Sequence, residues 1–101
     1  MPARTEEEEE EAVQTSYRDI GERVGVSCYS GHRHAQRPSS FVHMDRLYQV
    51  MEIERSWFEE SLERGDRKAC FQVRADDGNL YLLSRSEQDD SWTLERVLYL
   101  A

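Results

Sequence analysis

Residues 68–100, with the sequence KACFQVRADDGNLYLLSRSEQDDSWTLERVLYL, decide the fold of this chain. Apolar and polar residues alternate on both sides of the DDGN segment at 76–79, and alternation with a period of two is typical of a half-buried strand. Asp-Gly between two such runs is a strong hairpin signal, because glycine tolerates the positive φ of tight hairpin turns. A third alternating run follows the acidic loop at 86–90. The segment therefore predicts an antiparallel β-meander.

Strict alternation also predicts which residues of the meander face the core. The residues predicted to share an inward face are Ala69, Phe71, Val73 and Ala75 in the run 68–75, and Trp92, Leu94, Leu98 and Leu100 in the run 92–100. Arg96 interrupts the second face, and the opposite face of that strand also turns apolar near its end.

Upstream of the meander, the pattern predicts a strand at 23–29, a loop at 30–40 and a strand or strand pair at 41–54. Ser56 and Glu59 match a capping box, and Gly65 is placed to end a helix, so a short helix is predicted at 57–64. Five or six short strands need a closed or strongly curled sheet to hide their edges. The predicted fold is mainly β, a small antiparallel barrel or curled sheet of five to six strands with one short helix.

Charge divides the chain into two parts. The 101 residues carry a formal net charge of −8, and Glu6 to Glu11 form a block of six consecutive acidic residues. Such a block repels itself and buries nothing, so residues 1–14 are predicted to be a disordered acidic tail. Residues 15–101 then form one small β domain, large enough to fold alone.

Apolar runs in the sequence are far shorter than the roughly 18 residues of a membrane span, and the first residues lack the pattern of a signal peptide. We therefore expect a cytoplasmic protein without membrane partners. Cys28 and Cys70 form no paired motif and are expected to be reduced thiols in or near the core. No cofactor-binding motif is present, and a monomer is favoured.

Cys28 and the three histidines, His32, His34 and His43, are the candidate metal ligands, because zinc takes thiolate and imidazole ligands tetrahedrally. Their spacing matches no standard zinc motif, so solvated histidines in a loop are the preferred interpretation. A cysteine nucleophile activated by one of these histidines is a further alternative, but it needs a hydrogen-bonded pair and a third group that orients the base. No catalytic residues are predicted.

A basic segment stands out in this acidic chain. No acidic residue lies between Glu22 and Asp45, while arginines and histidines are frequent there. Arginines with neighbouring aromatic rings are what single-stranded nucleic acid needs for binding and stacking. The candidate ligand-binding residues are Arg33, Arg37, Arg46, Tyr29 and Tyr48. The acidic balance of the whole chain opposes this interpretation.

Residues 37–50, RPSSFVHMDRLYQV, followed by Trp57, resemble a family of small uncharacterised bacterial domains. The shared pattern is a Pro-x-x-Phe strand opening, an Arg-x-Tyr-x-Val strand, a Trp soon after and a later Asp-Gly hairpin, which DGNLYL at 77–82 approaches. The resemblance covers residues 20–100 and implies a shared β fold without a reaction. The resemblance also implies that related domains occur alone or appended to DNA-repair polymerases, which slightly raises the option of a nucleic-acid or replication partner.

Taken together, the residues predict a non-catalytic binding or protein-interaction module, whose partner is another protein. The alternative is a weak nucleic-acid-binding accessory domain that uses the histidine- and arginine-containing loop at 30–40 and the nearby aromatic residues. An enzyme would need a pocket with titratable groups of perturbed pKa, and the sequence shows no such grouping.

Overall fold

The computed structural model describes residues 16–29, 37–61 and 65–100. The acidic tail predicted at 1–14 lies outside these residues. The described residues form six strands: β1 (Ser16–Cys28), β2 (Pro38–His43), β3 (Arg46–Glu60), β4 (Arg67–Ala75), β5 (Leu80–Ser86) and β6 (Trp92–Tyr99). The prediction of a mainly β fold with a meander over its last three strands is confirmed.

The strands follow one another around a closed ring of antiparallel pairs. Each strand is hydrogen-bonded to the next in sequence, and β6 pairs back onto β1. The ring closes because two long strands, β1 and β3, each pair with a different neighbour along each part of their length. β1 pairs with β6 over Ser16–Val24 and with β2 over Gly25–Cys28. β3 pairs first with β2 and then with β4.

The predicted short helix at 57–64 is wrong where the structure describes it. β3 continues through this segment, with Trp57 opposite Cys70 and Glu60 opposite Arg67 on β4. Pairing with β4 therefore overrides the local capping signal. Gly65 has a φ of 71° and donates its N–H to the carbonyl of Ser61, so it shapes the turn between β3 and β4. None of the described residues is helical, and 62–64 lie outside them.

The segment predicted as a strand or strand pair, 41–54, is a pair. Met44 and Asp45 form the turn between β2 and β3, with φ values of 53° and 64°. Two positive φ values in succession are what a tight two-residue hairpin turn requires. The predicted loop at 30–40 ends earlier than expected, because Pro38 is the first residue of β2, a position where proline removes no ladder bond from the strand interior.

The core lies inside the ring. Strands β2 to β6 supply its buried residues, and the partly buried Ile20, Val24 and Val26 of β1 pack against them. The buried cluster consists of Phe41, Val50, Ala69, Phe71, Val73, Ala75, Tyr81, Leu83, Trp92, Leu94 and Val97. The inward face predicted for 68–75 is confirmed, since its four residues belong to this cluster. Within the described residues no helix is long and apolar enough to cross a membrane.

The face predicted for the last strand is only partly right. Trp92 and Leu94 are buried, but Val97 rather than Leu98 continues the inward face, and Leu100 is exposed. The cause is an irregularity in pairing with β5, where Leu82 lies opposite Arg96 and Leu83 opposite Leu94. Glu95 is the extra residue. A β-bulge of this kind exchanges the two faces of a strand, which simple alternation cannot anticipate.

Candidate functional site

One end of the ring opens into a cavity of about 340 Å³, which we call the mouth cavity. Three alternate residues of β1, Arg18, Ile20 and Glu22, line one wall. Asp77 and Tyr81, from the turn between β4 and β5 and from β5 itself, line the opposite wall. Residues from both ends of the described sequence therefore meet at this cavity.

The cavity is open because β2 is short. Gly25 is the first residue of β1 that pairs with β2, opposite Val42. The turn at Met44 then reverses the chain, so β1 continues beyond the hairpin without a neighbour on that side among the described strands. His43 and the largely exposed Met44 form the rim of the opening.

Asp77 and Tyr81 form a hydrogen-bonded pair in the cavity wall. The Tyr81 hydroxyl donates to Oδ2 of Asp77 at 2.6 Å, and the backbone N–H of Asn79 donates to Oδ1 at 2.9 Å. Burial alone would raise the pKa of Asp77, but hydrogen bonds from Tyr81 and Asn79 and the charge of Arg46 outweigh burial and lower that pKa. Burial and the ionised Asp77 both raise the pKa of Tyr81. The wall therefore carries a carboxylate at neutral pH.

Glu22 supplies a second carboxylate from β1. Its Oε1 lies 3.1 Å from Nε2 of His43, which joins β1 to the end of β2 across the rim. The Glu22 side chain is exposed and the His43 ring is mostly buried. Glu22 and Asp77 therefore place two carboxylates at the cavity beside the single guanidinium of Arg18. A third carboxylate, that of Asp19, also borders the cavity, but its Oδ1 is already paired with Nε of Arg96 at 2.8 Å.

The rings of Tyr48 and Tyr81 line the cavity between these charges, and the fully buried Phe41 packs behind them. Phe41 stacks on Tyr48 with ring centroids 4.9 Å apart, and it meets Tyr81 edge to face at 5.1 Å. The guanidinium of Arg46 lies over the Tyr48 ring, with its Cζ 4.6 Å from the ring centroid. Its Nη2 is 3.7 Å from Oδ1 of Asp76. The protein thus already holds a guanidinium between an aromatic face and a carboxylate beside the cavity.

The structure divides the candidate nucleic-acid residues between two ends of the sheet. Arg46 and Tyr48 lie together near the mouth cavity. Tyr29 and Arg37 lie together at the other end, where the N–H of Tyr29 donates to the carbonyl of Arg37 at 3.0 Å. The length of β2, roughly 3.3 Å per residue, separates the two groups. Arg33 lies outside the described residues.

The candidate metal ligands are divided in the same way. Cys28 pairs with Pro38 at one end of β2, and His43 pairs with Arg46 at the other. His32 and His34 lie outside the described residues. Within the residues that the structure describes, no group of three or more histidine, cysteine or acidic side chains is arranged to hold a metal ion.

Both cysteines are free thiols in the structure. Burial, with a smaller contribution from Glu59, raises the pKa of Cys70 to about 11. Burial also raises the pKa of Cys28, against the opposing charge of Arg85. A high pKa keeps a thiol protonated at neutral pH and makes it a poor nucleophile.

Most basic side chains of the described residues already face a carboxylate. The pairs are Arg23 with Asp89, Arg46 with Asp76, Arg67 with Glu87, Lys68 with Glu95, Arg74 with Glu54, Arg85 with Asp90, and Arg96 with Asp19. Phosphate groups of a nucleic acid would compete with these internal partners, which weakens binding.

Sequence reasoning missed three cavity residues, Glu22, Asp77 and Tyr81. Asp77 was interpreted only as part of a turn, although Asp followed four residues later by Tyr across a hairpin places both side chains near the same strand end. No sequence pattern indicates that Glu22 lines a cavity, because its place in the fold depends on the pairing of β1 with β6. Comparisons of the chain with models of protein families, with curated proteins and with solved structures find no match.

Proposed function

We propose that this protein is a non-catalytic binding module that docks to a partner protein, and that the mouth cavity receives a guanidinium side chain of that partner. The observation that carries the proposal is the convergence of Glu22, Asp77 and Tyr81 on one open cavity of about 340 Å³. A volume of this order suits a small ligand or a single side chain.

Electrostatics favour a cation. The carboxylates of Glu22 and Asp77 outnumber the single guanidinium of Arg18 in the cavity lining, since the third carboxylate, that of Asp19, is paired with Arg96. An acidic cleft with low-dielectric walls concentrates positively charged groups and speeds their association. A planar guanidinium suits this cavity better than an ammonium, because its rigid fork of N–H groups can donate to two carboxylates at once.

Several features support binding without catalysis. Hydrogen bonds from Tyr81 and Asn79 lower the pKa of Asp77, which makes its carboxylate a weak proton acceptor, and both thiols have raised pKa values. The closed ring of strands acts in this proposal as a small barrel, a rigid frame around the cavity. The two unpaired cysteines agree with a reducing compartment such as the cytoplasm.

An NMR titration of the full chain tests this proposal. Arginine capped as the N-acetyl amide, capped glutamine and a mixed single-stranded oligonucleotide are each added at low salt, and backbone amide shifts are followed. We expect capped arginine to shift amides around Glu22, His43 and Tyr81, with smaller shifts in 0.5 M salt because screening weakens the attraction. Capped glutamine should shift them little.

Equal responses to capped arginine and capped glutamine would overturn the proposal, as would no response at the cavity. Oligonucleotide shifts centred on Tyr29 and Arg37, without a response to arginine, would replace it with the nucleic-acid alternative.

A further inference from the structure

The edge of β1 that borders the mouth cavity has no partner strand among the described residues. Over Ser16–Val24, β1 pairs with β6 alone, and its pairing with β2 begins only at Gly25. Along this stretch the strand presents N–H and C=O groups on the side away from β6. Unpaired edges of this kind are sites where an extended peptide adds a strand.

The turn between β2 and β3 determines how many residues of β1 have no pairing with β2. With positive φ values at both Met44 and Asp45, the turn reverses the chain directly after His43. The hairpin therefore stops beside the middle of β1, and the rest of that strand faces the cavity.

Three side chains on the inward face of β1, those of Arg18, Ile20 and Glu22, are basic, apolar and acidic in that order. Arg18 and Glu22 lie opposite the buried Val97 and Leu94 of β6, and Ile20 packs against the core cluster. Asp19 also borders the cavity, but it lies opposite the exposed Arg96 and pairs with it. Residues that lie opposite one another on paired strands interact favourably when their charges are opposite and unfavourably when the charges are alike. The edge therefore selects both a composition and a direction in any strand that pairs with it.

We propose that an extended segment of the partner protein pairs antiparallel with residues 18–22 of β1. From its N-terminus to its C-terminus this segment reads basic, any residue, apolar, any residue, acidic. The basic residue lies opposite Glu22 and extends into the mouth cavity, the apolar residue lies against Ile20, and the acidic residue meets Arg18. This inference rests on the proposed function, because the basic residue is the guanidinium that the cavity receives.

The bulge in β1 fits this arrangement. Asp19 lies opposite Arg96 and Glu22 opposite Leu94 on β6, so Ile20 and Gly21 together face one residue, Glu95. Gly21 has a φ of 67°. The bend turns the edge of β1, and charged residues along it discourage indiscriminate pairing with other chains. A segment with the complementary order of charges gains more from the contact than one with the reverse order.

Two capped nonapeptides of identical composition test the direction. The first contains Arg-Thr-Val-Thr-Glu and the second contains Glu-Thr-Val-Thr-Arg, each flanked by two threonines at both ends. The affinity of the full chain for each is measured by NMR titration, together with hydrogen exchange of the amides at 16–22. A third peptide, the first sequence N-methylated at two consecutive central residues, lacks a donor on whichever side faces β1.

We expect the first peptide to bind roughly tenfold more tightly than the second, because two cross-strand charge pairs change sign. It should also slow exchange at 16–22, and N-methylation should remove most of its binding. Equal affinities for the two sequences, a preference for the second, or no effect of N-methylation would overturn the proposed pairing. Capped arginine would still bind the cavity in each of those cases if the proposed function is right, so the two failures are distinguishable.

Discussion

The Tyr81 hydroxyl donates a 2.6 Å hydrogen bond to Oδ2 of Asp77, which fastens the inward face of β5 to the turn that precedes it. Tyr81 also contacts Phe41 in the core and Tyr48 in the cavity lining, so the bond links the turn to both. The turn, the cavity wall and part of the core therefore form one unit. Changes in the charge of Asp77 should alter the stability of the domain.

Replacement of Asp77 by asparagine tests the acid dependence of this unit. The pKa of Asp77 is lowered in the folded state, so its contribution to stability is present above the unfolded pKa, about 4, and is lost as the pH falls through the lower folded value. We expect D77N to reduce the free energy of unfolding by about 1–1.5 kcal/mol at pH 7, at the low end for a charged hydrogen bond because the carboxylate is partly exposed. Urea unfolding of the wild type and D77N at several pH values from 3 to 7 measures this difference in the free energy of unfolding.

The neighbouring substitution D76N is the control, since Asp76 makes only a 3.7 Å ion pair with Arg46 at the surface. Its effect should stay below about 0.5 kcal/mol. A deficit of D77N that persisted unchanged at pH 3 would contradict the assigned hydrogen bonds.

Alanine substitutions at two glycines of β1, Gly21 and Gly25, distinguish the cost of a strained backbone conformation from the cost of a steric clash. Gly21 has a φ of 67°, whereas Gly25 does not lie in the left-handed region, and an added Cβ meets no atom within 4 Å at either position. Because only the first conformation disfavours an L side chain, we expect G21A to destabilise the fold by about 1–2 kcal/mol. G25A should be neutral or slightly stabilising. Thermal unfolding of the two variants makes the comparison, and equal destabilisation would argue against the bulge at Gly21.

The position of the core predicts opposite outcomes for two leucines. Leu83 is 0% exposed and Leu47 is 53% exposed. L83A leaves a cavity in close-packed surroundings and should reduce the free energy of unfolding by about 2–5 kcal/mol. L47A should change it by less than about 0.5 kcal/mol. Urea unfolding followed by the combined fluorescence of Trp57 and Trp92 measures both, and similar losses would contradict the inward face of β5.

Thiol labelling tests the environment of Cys70. With its pKa raised to about 11, the thiolate fraction at pH 8 is roughly a hundredfold below that of an ordinary cysteine, and burial slows access further. In the C28S variant, where Cys70 is the remaining thiol, we expect a disulfide reagent to label it at least about a hundredfold more slowly than an exposed cysteine. Unfolding in urea should make the labelling fast. Rapid labelling of the folded C28S variant would show that Cys70 is not buried as described.

Much of the β architecture was predictable from local pattern. The turn at 76–79 and the alternation on both sides of it specify a meander by interactions between near neighbours in sequence. The segment 57–60 was not predictable in the same way, because its helix signal is local while its pairing with β4 depends on residues that follow a turn. The start of β1 at Ser16 was also missed, since this charged stretch is a strand only through its pairing with β6.

The candidate site was less predictable than the fold. Of the residues predicted as one ligand-binding set, Arg46 and Tyr48 lie together, but Tyr29 and Arg37 lie at the other end of β2. Residues two apart on one strand share a face, whereas the two ends of a hairpin are separated by its length. The meeting of Glu22 with His43 depends on the register of β1 against β2, which no local pattern in the sequence encodes.

The affinity of capped arginine for the wild type, E22Q and E52Q tests the central claim most directly. Glu22 and Glu52 have side chains of matched exposure, 61% and 63%, but only Glu22 lines the mouth cavity. Loss of one charged hydrogen-bond acceptor should weaken binding to E22Q about tenfold, equivalent to about 1.4 kcal/mol. E52Q, which removes the same charge elsewhere, should stay within about twofold of the wild type because surface charges are screened. Equal affinities for the two variants would contradict a guanidinium site in the mouth cavity.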